Sequence, residues 1–349
     1  MPGPTNIDLL DQLQRPVIQA PMAGGPSTPE LAAAVSLAGG LGFLAAGYKT
    51  AAQVEAEMLR TRALTDAAFG VNLFVPQPSF ADAGQLARYA AELAVDAARY
   101  GVEPGGPRFD QDDWDAKLDV VVKLRPAVVS FTFDIPEPSA VSRMYDAGIP
   151  VIMTVTSVGE ALAAVDAGAD ALCVQGPEAG GHRGMFEPTA APDGTPLESL
   201  LPQVLGAVQV PVIAAGGIVS RGDATRVLGM GAVAVQCGTA FLLAAEAGTR
   251  PAHRAALASP DFTHTGVTRA FSGRYARGLY NRFMADHDDS APAGYPEVHH
   301  MTTPIRAAAA AAGDPHGVNL WAGTGHRRTL EGTAAEILDS LSPAKPGTD

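Results

Sequence analysis

The stretch Asp170-Ala-Leu-Cys-Val-Gln-Gly-Pro-Glu-Ala-Gly-Gly-His-Arg-Gly-Met185 changes character in its middle. Its first five residues are an apolar run of the kind that forms a buried strand. The rest is a glycine-punctuated loop carrying Glu178, His182 and Arg183. Glycines at 176, 180, 181 and 184 admit positive φ or close approach of the backbone to a flat ligand. In α/β proteins a strand that ends in such a loop places chemistry at its C-terminal end. No other histidine of the chain stands in such a context, and His182 is the candidate catalytic group.

Outward from this strand, the same pattern recurs. Short β-rich apolar runs at 16–20, 41–45, 69–74, 127–133, 150–155, 211–215 and 232–236 bring the predicted strands to eight. Amphipathic helical segments separate them, and several open on capping signals: Thr28 before Pro29, Thr50 with Gln53, Ser157 with Glu160, and Ser220 with Asp223. Apolar strands alternating with helices imply parallel strands buried on both faces. Eight of them close a (β/α)8 TIM barrel, which needs about 250 residues. A doubly wound open sheet is the competing arrangement, with fewer strands.

The pattern breaks near residue 260. An arginine-rich stretch, Arg269-Ala-Phe-Ser-Gly-Arg-Tyr-Ala-Arg277, is followed by an acidic, proline-rich run over 286–296 and an alanine-rich helix near 306–312. This predicts three parts: a barrel over 1–258, a small, mostly helical lid inserted after the eighth strand over 259–320, and a C-terminal segment over 321–349 returning to the barrel. The last helix is placed at 329–341.

The chain has 349 residues, 47% hydrophobic and 17% charged, and a formal net charge of −13. That balance describes a globular protein and argues against nucleic-acid or anionic-membrane partners. The two cysteines, Cys173 and Cys237, fall in predicted strands and read as buried apolar residues. The N-terminal residues show no basic start followed by an apolar run, and Gly39-Gly40 and Gly42 split the apolar stretch 31–48 into a helix and a strand. The expectation is a cytoplasmic protein, monomeric or homodimeric. His299, His300 and His316 lack metal-ligand spacing, and no metal site is expected.

Loops after the seventh and eighth barrel strands often cradle a phosphate. Here they read Ala215-Gly-Gly-Ile218 and Gln236-Cys-Gly-Thr239. Gly216 and Gly217 bare their amides, and Gly238-Thr239 is expected to open a helix whose N-terminus suits an anion. The loop Ala20-Pro-Met-Ala-Gly24, polar Asn72 in the third strand, and Gln175 suit a flavin, which needs an apolar bed and a few amide partners. The competing reading of Asn72 is a strand-end residue bonding its own backbone. Glu178 could orient His182 or be solvated. Arg183 and Arg274 could steer an anionic substrate, though a solvated surface charge is the ordinary reading of each.

Four segments resemble the nitronate monooxygenase family: Gln19-Ala-Pro-Met-Ala-Gly-Gly25, Ser130-Phe-Thr-Phe133, Gln175-Gly-Pro-Glu-Ala-Gly-Gly-His182, and Ala214-Ala-Gly-Gly-Ile218 with Gln236-Cys-Gly-Thr239. The likeness extends more weakly into Phe271-Ser-Gly-Arg-Tyr-Ala-Arg277 and Leu320-Trp-Ala-Gly323. The resemblance implies a (β/α)8 barrel binding FMN noncovalently, with the catalytic histidine at His182. Its flavin contacts fall on Pro21, Met22, Ala23, Asn72, Gln175, Gly180, Gly181, Gly216, Gly217, Gln236, Gly238 and Thr239. Phe133 and Tyr295 are candidate substrate contacts. The implied reaction oxidises an alkyl nitronate, or a neutral nitroalkane, with O2 to a carbonyl compound and nitrite. His182 would remove the α proton or hold an incoming nitronate. The Glu-Ala-Gly-Gly-His loop also resembles FMN-dependent enoyl-acyl-carrier-protein reductases using NAD(P)H, and a quinone reductase belongs to the same alternative. A flavin-binding carrier without turnover is the third reading.

Overall fold

The computed structural model describes residues 7–343. The N-terminal stretch read above for a signal segment therefore lies mostly outside the described residues, as does the end of the C-terminal segment. Eight parallel strands form the barrel: β1 (Val17–Gln19), β2 (Gly42–Ala45), β3 (Phe69–Phe74), β4 (Val128–Thr132), β5 (Val151–Val155), β6 (Ala171–Gln175), β7 (Val212–Ala215) and β8 (Ala234–Cys237). Each pairs with its neighbour in sequence, β1 pairs with β8, and a parallel bridge from Ile18 to Leu41 closes the ring beside β2.

Inward-facing positions explain why the barrel is plugged at one end and open at the other. Ile18, Phe43, Val128, Ile152, Cys173, Ile213 and Ala234 fill the interior, and Ile7 and Leu10 beside a one-turn helix (Asp8–Asp11) cap it from below. A Cβ on Gly70 would come within 2.4 Å of the Phe43 ring, so glycine there makes room for that ring. Toward the strands' C-terminal ends the lining becomes polar or small, with Asn72, Ser130, Thr154, Gln175 and Gln236. The outer faces of the strands pack against the helices through the larger cluster around Leu31, Met58, Phe131, Leu172 and Val235.

The capping signals act as read. Thr28 Oγ1 accepts from Leu31 N at the head of Pro29–Leu37, and Thr50 and Gln53 form a reciprocal box on Ala51–Leu64. Ser157 and Ser220 accept from Glu160 N and Asp223 N. The last helix is shorter than expected. It spans Ala334–Leu341, because Thr333 and Glu336 build a second capping box that fixes its start. Leu338 and Leu341 bury it against the barrel.

Residues 251–321 contain a helix (Pro251–Ala258), a hairpin (Thr265–Thr268 with Ala276–Leu279), and two helices (Arg282–His287 and Glu297–Ala311). The alanine-rich helix thus begins well before residue 306. Pro304 suggests a boundary because it lacks an N–H for the carbonyl four residues back. Here the interruption is absorbed, and the neighbouring Met301 carbonyl accepts from Gly105 N at 2.9 Å. The helix Ala83–Arg99 after β3 also packs on this region. Its Leu86, Tyr89 and Leu93 meet Phe271, Phe283, Val298 and Ile305 in a separate core. Among the described residues, no helix is long and apolar enough to cross a membrane.

Candidate active site

The loop after β6 is more ordered than its glycines suggest. Gly181–His182 forms a short strand that pairs antiparallel with the hairpin, Ala276 opposite His182 and Arg277 opposite Gly181. Of its glycines only Gly181 takes positive φ (77°), and a Cβ there would meet nothing within 4 Å. A Cβ on Gly180 would come within 2.5 Å of the backbone at 322–323, while Gly176 and Gly184 are hemmed in by Leu197 and Thr154. Those three are glycines because protein, rather than ligand, crowds them.

A cavity of about 490 Å³ opens at the C-terminal mouth of the barrel. It is lined by every residue singled out above as a flavin contact, together with His182 and Phe133. Tyr295 is set back from it, with its ring 6.0 Å from that of His182 and 5.6 Å from that of Phe133. The floor is apolar at Ala20, Pro21 and Met22. Asn72 does not bond its own backbone. Its Nδ2 donates across to β4, to Ser130 Oγ (2.9 Å), Ser130 O (3.2 Å) and Thr132 Oγ1 (3.0 Å). Gln175 staples the loop. Its Nε2 donates to His182 O (3.0 Å), and its Oε1 accepts from Gly184 N (2.8 Å). Both amide atoms thus already have protein partners.

Gly216 (φ 117°) and Gly217 (φ 70°) take left-handed backbone after β7. The expected helix after β8 is a single 3-10 turn, Thr239–Phe241, too short to carry a useful dipole. Any anion held here depends on backbone amides and the Thr239 hydroxyl.

His182 Nε2 lies 2.8 Å from Ser272 Oγ, whose hydroxyl donates to Arg274 O at 3.1 Å. With the serine proton directed at Arg274 O, the tautomer that fits is the one that donates from Nε2 and keeps a lone pair on Nδ1. Burial, then Arg274, then Arg306, push the imidazole's pKa down to about 3, so it is neutral at pH 7. Phe133, Tyr295 and Trp321 pack edge-on to the imidazole, with centroids 5.6–6.0 Å away.

The arginines correct the expectation of solvated charge. Arg183 and Arg274 are buried (7% and 1% exposed). Arg183 bonds the Gln175 carbonyl and braces the loop from behind. Arg274 donates to Gln77 Oε1 (2.6 Å) and to the Met185 carbonyl, and its guanidinium sits 3.9 Å over the Phe133 ring. Arg306, also buried, donates to Thr302 Oγ1, Asn319 Oδ1, His299 O and Thr303 Oγ1. All these acceptors of Arg274 and Arg306 are neutral. Glu178 neither orients His182 nor floats free, because its carboxylate accepts from Leu197 N at 3.3 Å.

Ser272, Arg306 and Trp321 line the cavity without having been singled out as site residues, and so does His299, weighed above only as a metal ligand. The segment 271–277 carries part of the family resemblance, yet nothing in it says that Ser272 meets His182. His299 stacks on Tyr48, His300 bonds Asp110, and His316 sits beside Phe262. Among the described residues, no three His, Cys, Asp or Glu side chains are grouped to hold a metal. Both cysteines are buried and free.

A family model described as nitronate monooxygenase matches residues 8–344. A probable nitronate monooxygenase of Staphylococcus aureus (strain JH9) is 39% identical over 334 residues, covering 94% of each chain. Among solved structures, a nitroalkane oxidase from Streptomyces ansochromogenes superposes with a TM-score of 0.92 at 49% identity, over 95% of this chain and 96% of that one. FabK from Thermotoga maritima gives a TM-score of 0.75 at 26% identity, over 97% and 94%.

Proposed function

The chain belongs to the nitronate monooxygenase family, and from that premise we propose that it uses FMN and O2 to oxidise alkyl nitronates, and less readily neutral nitroalkanes, to a carbonyl compound and nitrite. The observation that carries the reading is His182. It is an imidazole held by Ser272 and neutral at pH 7, under the field of two buried guanidiniums bonded only to neutral partners.

The cavity suits a flavin on its own residues. Its volume lies in the range of cofactor sites. Ala20, Pro21 and Met22 offer an apolar bed for the ring, and Asn72 Oδ1 has no protein donor. Gly216 and Gly217, with Gly238 and Thr239, would hold the phosphate through unshielded backbone. Held there, FMN would supply the redox chemistry, accepting electrons from the substrate and passing them to O2.

The remaining work falls to side chains. Arg274 and Arg306 raise the local positive potential, which favours an anionic nitronate over its neutral conjugate acid. With a neutral nitroalkane, His182 would accept the α proton. The same positive field that depresses its basicity also stabilises the negative charge that forms on the nitro oxygens as the proton leaves. A preformed nitronate needs no proton removal, and His182 would then only position it. The aromatic rings around His182 keep water from the reacting carbon.

His182→Ala is expected to retain FMN while kcat/KM on neutral nitroethane falls by roughly 10²–10⁴-fold. The loss on ethyl nitronate should be about tenfold or less. Undiminished turnover of the neutral substrate would put the base elsewhere. Anaerobic bleaching of the flavin by NADH or NADPH, with no response to nitronate, would replace this reading by a reductase.

A further inference from the structure

A second cavity, of about 580 Å³, adjoins the first, and Tyr48, Phe74, Phe133 and His299 line both. These four side chains interlock. Tyr48 stacks on His299 with centroids 4.1 Å apart and planes 2° from parallel. Phe74 meets Tyr48 edge-on at 5.7 Å and lies 4.4 Å from Phe133. Beyond them the second cavity is lined by Val75, Pro76, Trp114 and Pro296, by the polar side chains of Gln77 and buried Arg274, and by charged residues of the loop 108–113.

Backbone strain in this protein is concentrated around that second cavity. Five described non-glycine residues have positive φ: Tyr48 (68°), Asp112 (53°), Asp113 (52°), Arg125 (45°) and Phe133 (91°). All but Arg125 line the second cavity. Such conformations persist only where surrounding contacts over-determine them. Here Asp112 Oδ1 accepts from Tyr48 N (3.0 Å) while its other oxygen pairs with buried Lys117 (2.7 Å). Asp113 Oδ2 accepts from Ala51 N at 3.2 Å, and Arg274 covers the Phe133 ring. Two of the four rings of the partition, Tyr48 and Phe133, are thus held against backbone preference, as residues at ligand clamps often are.

We propose that Tyr48, seated on His299 and backed by Phe133, is the residue that ends the alkyl-chain subsite. In this reading the reaction cavity takes short chains, and the second cavity is the room that a longer chain would enter if the partition were removed. The inference rests on the nitronate reading for its substrate class, but its test does not depend on turnover. A straight-chain carboxylate has the planar, two-oxygen anionic head of a nitronate and is redox-inert.

The experiment is calorimetric binding of the carboxylates from acetate to octanoate to the FMN-loaded protein. Wild type should gain affinity over the first few methylenes and then lose it. In Tyr48→Ala the gain should continue, raising the octanoate-to-butyrate affinity ratio by roughly tenfold or more. His299→Ala, which removes the other half of the stack, should move the ratio the same way by less. Tyr48→Phe keeps the ring and should keep the wild-type profile. A ratio within twofold of wild type in both alanine variants overturns the proposal. So does a Tyr48→Phe shift as large as that of Tyr48→Ala, or a wild type that binds every length alike or none. Failure of the nitronate reading is seen separately, as no nitronate oxidised by a wild type that still discriminates chain length.

Discussion

The two walls of the reaction cavity are built by opposite means. The barrel wall is backbone and small side chains: Ala20, Gly216, Gly217, Gly238 and Thr239 at the ends of strands whose register the whole sheet enforces. The lid wall carries larger polar and aromatic side chains, with buried Arg306 and Ser272, half-buried His299 and Trp321, and buried Arg274 behind them. A barrel wall of this kind can accept one rigid, flat cofactor with few specific contacts. The lid wall supplies positive potential and the Ser272 contact on His182, and its His299 stacks on Tyr48 from the loop after β2. The contrast teaches that cofactor binding and substrate choice are separable here, and mutations can be aimed at one without the other.

The largest expected effect tests the barrel wall. Gly217→Asp places a carboxylate where the phosphate is expected, and FMN affinity should fall by more than roughly a hundredfold. The left-handed φ of 70° is one that Asp and Asn tolerate, and the new Cβ meets Glu178 Cβ at 3.0 Å, so the fold should survive with a small shift. Gly217→Asn has nearly the same shape without the charge and should retain most of the flavin. Stoichiometric FMN in purified Gly217→Asp protein would remove the phosphate from this loop.

Arg274→Met asks whether the lid-wall charge serves function rather than folding. Methionine gives up the hydrogen bonds to Gln77 and to the Met185 and Phe133 carbonyls, but it also relieves a buried guanidinium bonded only to neutral acceptors. These effects oppose one another, and the change in unfolding free energy should stay within about 2 kcal/mol. Arg274 is the second cause, after burial, of the depressed His182 pKa, so that pKa should move up toward the ordinary histidine range. The kcat/KM for nitronate should drop about tenfold. A stability loss well beyond this, with an unmoved His182 titration by NMR, would make Arg274 a structural residue.

The same contrast explains what was legible in the sequence. The barrel wall follows local rules. Thr28, Thr50, Ser157 and Ser220 announce helix starts, and the strands announce themselves by composition, so the sequence also puts Met22, Asn72 and Gly217 at strand ends, where they line the cavity. The lid wall depends on pairings across long stretches of chain. Ser272 reaches His182 only because the hairpin strand Ala276–Leu279 adds to Gly181–His182, a register that no local pattern specifies. Arg274 reads as a surface charge because its neutral partners, Gln77 and the Met185 carbonyl, come from two other loops. Glycine is legible as a type but not by cause. Gly180 looks like a ligand-facing residue and is required at least as much by the backbone at 322–323.

The last effect draws on both walls, and it concerns acid stability. Burial pushes the imidazoles of His182 and His253 down to about 3 and about 4, and it lowers that of His299 as well. In the unfolded chain each returns to about 6.5. Between those values the unfolded state binds more protons, so stability is lost as pH falls below 6.5 and continues to fall toward the folded pKa values. At pH 5 the loss is about 2 kcal/mol for each of the three. Asp112 works the other way. Burial raises its pKa to about 6, so it takes up a proton first in the folded state and returns about 1.4 kcal/mol at pH 5. A net loss remains, and flavin-free protein should show a lower urea midpoint at pH 5.0 than at pH 7.5. His253→Phe should remove somewhat less than half of that difference, because it deletes one titrating imidazole from a position only 7% exposed. Equal midpoints at the two pH values would mean that these imidazoles are already charged in the folded protein. The neutral His182 on which the proposed proton transfer rests would then be lost with them.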